Sequence, residues 1–181
     1  MSRRRRSLWL AALLAAGLAA PAAAVPPGSP QASEALQQCN RVDRLPDAER
    51  DAAIARGIAM SEAALAADAN DARAHFALFC HLGKRMARDG LGIRQLFALG
   101  RLKDEIDTAL RLAPDDADAL AGKGALLLGL PSLFGGDADE AERLLRRALV
   151  IEPSNTDARC HLAAALRARG VRPDFEVPPD C

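Results

Sequence analysis

Tyrosine is absent from this 181-residue chain, tryptophan occurs once, and five phenylalanines bring the aromatic content to only 3%. Proteins that hold bases by stacking need aromatic platforms, so nucleic-acid binding is disfavoured. Histidine is scarce as well, at three residues, and neither G-x-S-x-G nor H-E-x-x-H occurs. Nothing therefore composes a nucleophile with its base, and the expected function is non-catalytic, without cofactor or metal. Two glycine motifs stop short of a phosphate site. Gly122 and Gly124 form a G-x-G fragment with no strand before it. Gly135 and Gly136 lack the Lys and Ser or Thr of a phosphate loop, and Asp137 puts negative charge where the anion would sit. Strand-type alternation is missing throughout.

What is present begins with an export signal. Arg3, Arg4, Arg5 and Arg6 precede an apolar run from Leu8 to Ala20, and Ala22, Ala23 and Ala24 supply a small-residue cleavage site. The run is shorter than the roughly 20 residues of a spanning helix, so residues 1–24 read as a cleaved signal peptide. Stable membrane insertion after cleavage is not expected. Cleavage takes four of the 24 basic residues and none of the 24 acidic ones, leaving a net charge of −4. The exported chain is expected to be periplasmic or secreted. Residues 25–32 read as a flexible leader, 33–170 as one helical domain and 171–181 as a tail.

An exported chain meets oxidising conditions, where Cys39, Cys80, Cys160 and Cys181 tend to pair. Four cysteines allow three connectivities. Cys39 with Cys80 and Cys160 with Cys181 is the favoured set, since each bond links neighbouring elements. Cys80 with His81 and Cys160 with His161 also suggest metal ligands. Adjacent helical residues point about 100° apart, so neither dipeptide easily gives both ligands to one ion.

Apolar spacing predicts seven helices. Ser33 offers an N-cap for a helix to Arg41. Pro46 fits the first turn of a helix through Ala67, with Ile54, Ile58 and Leu65 on its apolar side. Others follow to Ala87, from Ile93 to Leu112, from Asp115 or Asp116 to Leu130, from Asp137 to Ile151, and, after a turn at Pro153 to Asn155, to Arg169. Asp137 with Glu140 forms a D-x-x-E capping box, and Gly170 stops the final helix.

Three stretches share one register: Ala66 to Ala77, Arg111 to Gly122 and Val150 to His161. Each ends an apolar helix, turns on polar residues and opens the next. Ala141, Leu145, Ala148 and Pro153 follow a small, large, small, Pro pattern, matched more loosely by Leu102, Ile106, Ala109 and Pro114. Small residues also fall at Gly124 and Ala163. The pattern resembles the tetratricopeptide repeat, a helix pair (A then B) of 34 residues. Here the units measure 45 residues from Asp68 to Ala113 and 39 from Ala113 to Glu152, so insertions of 11 and 5 separate A helices from their B helices. Its aromatic positions hold Leu or His. The loop and flanks GLPSLFGGDADEAERLLRRAL, Gly129 to Leu149, are similar to exported repeat proteins that accompany TRAP-type transporters.

The resemblance implies a short α-solenoid whose A helices line a concave groove at positions 2, 5, 9, 12 and 13. Carried over, those positions are Arg73, Phe76, Cys80, Gly83 and Lys84; Asp118, Ala121, Ala125, Leu128 and Gly129; then Asp157, Cys160, Ala164, Arg167 and Ala168. Such a groove suits an amphipathic helix, an extended peptide or a hydrophobic small molecule. Cys80 and Cys160 fall on it, so their disulfides are expected to bring both chain ends across it. An adaptor or scaffold for a protein partner is the leading expectation. The runner-up is a periplasmic component that binds a hydrophobic ligand beside a transporter. Lys84, Arg85, Arg88, Arg94, Arg101 and Lys103 face only Asp89 among acids over residues 84–103 and read as a solvated face, or as a surface for an acidic partner or an anionic membrane.

Overall fold

The computed structural model describes residues 28–90 and 93–181; the expected signal peptide, 1–24, lies outside the described residues. Within them the chain is all-α, with seven helices and no strand. The helices are α1 Pro30–Arg41, α2 Asp47–Ala67, α3 Ala72–Asp89, α4 Ile93–Leu112, α5 Ala117–Gly129, α6 Ala138–Ile151 and α7 Thr156–Ala168. Short 3-10 turns at Val42–Arg44 and Ser132–Phe134 follow α1 and α5.

Most helix starts have a local cause. The side chains of Ser29, Asp71, Asp116, Asp137 and Asn155 each accept a backbone N–H that a helix start leaves unpaired. Each such cap contributes about 1 kcal/mol. The first helix begins earlier than the expected Ser33 cap. Pro30 takes the first turn, where its missing N–H costs nothing, and Ser29 Oγ accepts from Ala32 N at 3.1 Å. The expected capping box at α6 closes on one side only. Asp137 accepts from Asp139 N and Glu140 N, but its own N–H donates to Leu127 O at 3.2 Å, and Glu140 pairs with Arg143.

Helices consecutive in sequence pack on one another, and next neighbours close the stack: α1 lies on α2 and α3, and α7 on α5 and α6. The first helix is thus a packed member of the stack, with Ala32, Ala35, Leu36 and Cys39 buried. Cys39 bonds Cys80 between two stacked helices, α1 and α3. The joint between the halves is aromatic. Phe76 and Phe79 stack with ring centroids 6.0 Å apart and meet α5 at Gly122, where a Cβ would come within 2.9 Å of Phe79. They share a core with Leu102, Ile106, Ala109 and Ala119; a second core gathers Leu120, Ala121, Leu145, Ala148, Leu162 and Leu166. No helix among the described residues is long and apolar enough to cross a membrane.

Candidate interaction wall

The side chains expected to line a groove come from α3, α5 and α7, and burial divides them. Phe76 and Ala121 are buried, 8% and 1% exposed, and fill space between helices. Arg73, Lys84, Ala125 and Leu128 are half-buried, as are Cys80, Gly83 and Cys160. Asp118, Asp157, Ala164 and Arg167 are exposed, with Gly129 and Ala168. What solvent meets is therefore mostly polar, with alanines between, because the one aromatic in the register turns into the α3–α5 joint.

Position 2 of these helices lies beside the capping residues, and the two sets share hydrogen bonds. Asn155 Nδ2 donates to Asp118 Oδ1 at 2.7 Å while Asn155 Oδ1 accepts from Ala158 N at 2.9 Å, so one amide orients the wall and caps α7. Asp116 accepts from Ala119 N at 3.0 Å; burial pushes its carboxyl up, against that hydrogen bond. Asp71 behaves oppositely. Burial raises it too, but N–H donors at Ser29 and Ala74, at 2.8 and 3.0 Å, win and hold it below the usual carboxylate range. Arg73, Asp115, Asp116, Asp118 and Glu152 surround a cleft of about 210 Å³ where Arg73 Nε is buried without a protein acceptor. Asp115 is taken up by Arg147 at 2.6 Å.

Four residues of the basic stretch are used internally. Lys84 pairs with Asp43 at 2.5 Å, Arg88 with Asp47 and Asp51, and Arg101 with Glu62 at 2.7 Å, joining α3 and α4 to α2 and the turn before it. Lys103 Nζ donates to Phe134 O at 2.6 Å, holding the α5–α6 loop. In that loop Gly135 is left-handed at φ 86°, and a Cβ on Gly136 would collide with Leu130 O. The free N–H groups that a phosphate would need at α6 are occupied by Asp137.

The Cys80-His81 dipeptide also serves packing. His81 is fully buried; Nε2 donates to Ala35 O at 2.9 Å and Nδ1 has no partner. Burial lowers its pKa, the Ala35 hydrogen bond opposing. His75, in a core position of the register, places Nδ1 2.6 Å from Glu105 Oε2 and Nε2 3.1 Å from Ala69 O.

Beyond α7 the chain turns at Gly170, φ 71°, and residues 170–181 return along the helix without helical structure. Cys181 bonds Cys160, and Phe175 packs against the second core. Between this strap and α7 lies a cleft of about 620 Å³ lined by Arg167, Val171, Arg172, Pro173, Phe175 and Val177. Phe175 was not among the residues expected from sequence. The available signal was its position: it is the only aromatic after Phe134, in a stretch that Cys181 can tie down. No family model matches this chain, and no curated protein matches it either.

Proposed function

We propose that this chain is an exported, non-catalytic adaptor of tetratricopeptide type that holds a protein or peptide partner on the wall formed by α3, α5 and α7. One observation carries the reading: Arg73, Lys84, Asp118, Asp157 and Arg167, from three stacked helices, all keep solvent access while Phe76 and Ala121 of the same register are withdrawn. Rigid helices that present charged side chains between alanines fit a polar or amphipathic segment better than a greasy one. Two disulfides and the basic, apolar, small-residue leader of residues 1–24 support export.

The test is crosslinking in the exporting cell with a photoreactive residue at Ala125 or Ala164. A discrete crosslinked protein is expected, lost in an Asp118→Lys/Arg167→Glu variant of unchanged thermal stability. A crosslink pattern indifferent to those changes overturns the reading. A second reading, a hydrophobic small ligand, draws on the Phe175 cleft; native mass spectrometry showing a co-purified apolar molecule would favour it.

A further inference from the structure

The packing of α5 on α6 has a counterpart on α7. Gly124 of α5 accepts α6 so closely that a Cβ would stand 2.7 Å from Leu145 and 3.3 Å from Ala141 O. Ala121 and Leu128, three residues before and four after Gly124, share its face and join the core of Leu145 and Ala148. In the common register, Ala121, Gly124 and Leu128 correspond to Cys160, Ala163 and Arg167 of α7. No helix follows α7 within residues 169–181, yet Ala163 is 0% exposed. The strap accounts for that side: Cys181 is bonded to Cys160, Arg167 lines the space beneath, and Phe175 reaches the core.

The two disulfides differ in access. Cys39 is 0% exposed with Cys80 half-buried, whereas Cys181 is exposed with Cys160 half-buried. Exchange requires a thiolate to reach one sulfur in line with the bond, so the second bridge, with one exposed sulfur-bearing residue, is the more accessible of the two.

We propose that residues 170–181 are a detachable cap standing where α7 would take a B helix, and that thiol–disulfide exchange at Cys181 frees this face for an amphipathic helix of a partner protein. A dithiol reductant supplies the two electrons. Its first thiolate attacks Cys181 Sγ, forming a mixed disulfide and releasing the Cys160 thiolate. Its second thiolate then displaces Cys181, leaving an oxidised reductant and two protein thiols. The incoming helix matches α6 in chemistry, with small, Leu, small residues on one face as at Ala141, Leu145 and Ala148. The inference rests on the adaptor reading, and the capped face adjoins the charged wall, since Cys160 and Arg167 belong to both.

The experiment uses the full exported chain and, as the helix probe, a labelled peptide of residues 137–152. Timed alkylation and mass mapping under a mild dithiol should open Cys160–Cys181 at least tenfold faster than Cys39–Cys80. The reduced chain, still helical by circular dichroism, should bind the peptide at least tenfold more tightly than the oxidised chain, and a peptide carrying Leu145→Asp should not bind. A Cys160→Ser/Cys181→Ser variant should bind without reductant; if it fails to fold, the selectively reduced wild type gives the same readout. Equal reduction of both bridges, or equal peptide affinity before and after release, overturns the proposal. The Asp118→Lys/Arg167→Glu crosslinking result is separate: a crosslink indifferent to those changes, with peptide binding to the reduced wild type intact, removes the adaptor wall and leaves the cap.

Discussion

Gly57 of α2 lies so close to the imidazole of His81 on α3 that a Cβ there would stand 2.0 Å from the ring. The same ring donates to Ala35 O of α1, so one side chain locks three helices. Gly57→Ala should destabilise the chain by about 1–3 kcal/mol through overpacking, less about 1 kcal/mol returned as helix propensity. In a His81→Ala background the same change should cost nothing. Urea midpoints of the four chains form the cycle that measures this coupling.

His81 also sets a pH dependence. Its folded pKa is lowered by burial, so the unfolded chain binds the proton more readily. The stability it contributes is present above the ordinary histidine value near 6.5 and is lost as pH falls below it. Unfolding free energy should drop between pH 7.5 and 5.5, and the drop should be smaller in His81→Gln, even though that variant is less stable at pH 7.5. Parallel slopes in the two chains would remove His81 as the cause.

Local chemistry was legible before the fold. The limits of α4, Ile93–Leu112, follow from apolar spacing between a two-glycine break and Pro114. The disulfide set follows from neighbouring elements. What failed to show were relationships between helices. The contact of Gly57 with His81 spans 24 residues and leaves no periodic mark. Phe76 belongs to the wall by register, but a cavity-like approach at Gly122 draws it inward. Ser29 does not stand out as a cap in the sequence, because a Pro-rich stretch reads as a leader until Pro30 is placed in a first helical turn.

The bridge Cys39–Cys80 closes 41 residues of chain and Cys160–Cys181 closes 21. In the chain-entropy account their removal should cost about 4 and about 3 kcal/mol. Against a typical domain stability of about 5–15 kcal/mol, the first loss alone approaches unfolding. Cys39→Ser/Cys80→Ser should therefore have the lower melting temperature of the two double variants, and it should lose helix signal first on heating. The α1–α3 junction is the region whose amides should exchange faster.

Glycines at Gly100 and Gly124 make opposite demands. A Cβ at Gly100, mid-way along α4 and exposed, meets nothing within 4 Å. Alanine there removes backbone freedom from the unfolded chain and should stabilise by about 0.5–1 kcal/mol. At Gly124 the same methyl group meets Leu145 at 2.7 Å and the Ala141 carbonyl at 3.3 Å. The nearest atom is the branch point of a fully buried leucine and the carbonyl belongs to the α6 backbone, so α6 must move outward. A loss of about 1–3 kcal/mol is expected. Shortening the opposing residue decides whether contact is the reason: Gly124→Ala should be better tolerated with Leu145→Ala than alone, whereas Gly100→Ala should add independently to either. If Gly100 and Gly124 responded alike, helix propensity rather than the α5–α6 approach would govern both, and the close packing on which the α7 comparison depends would lose its energetic basis.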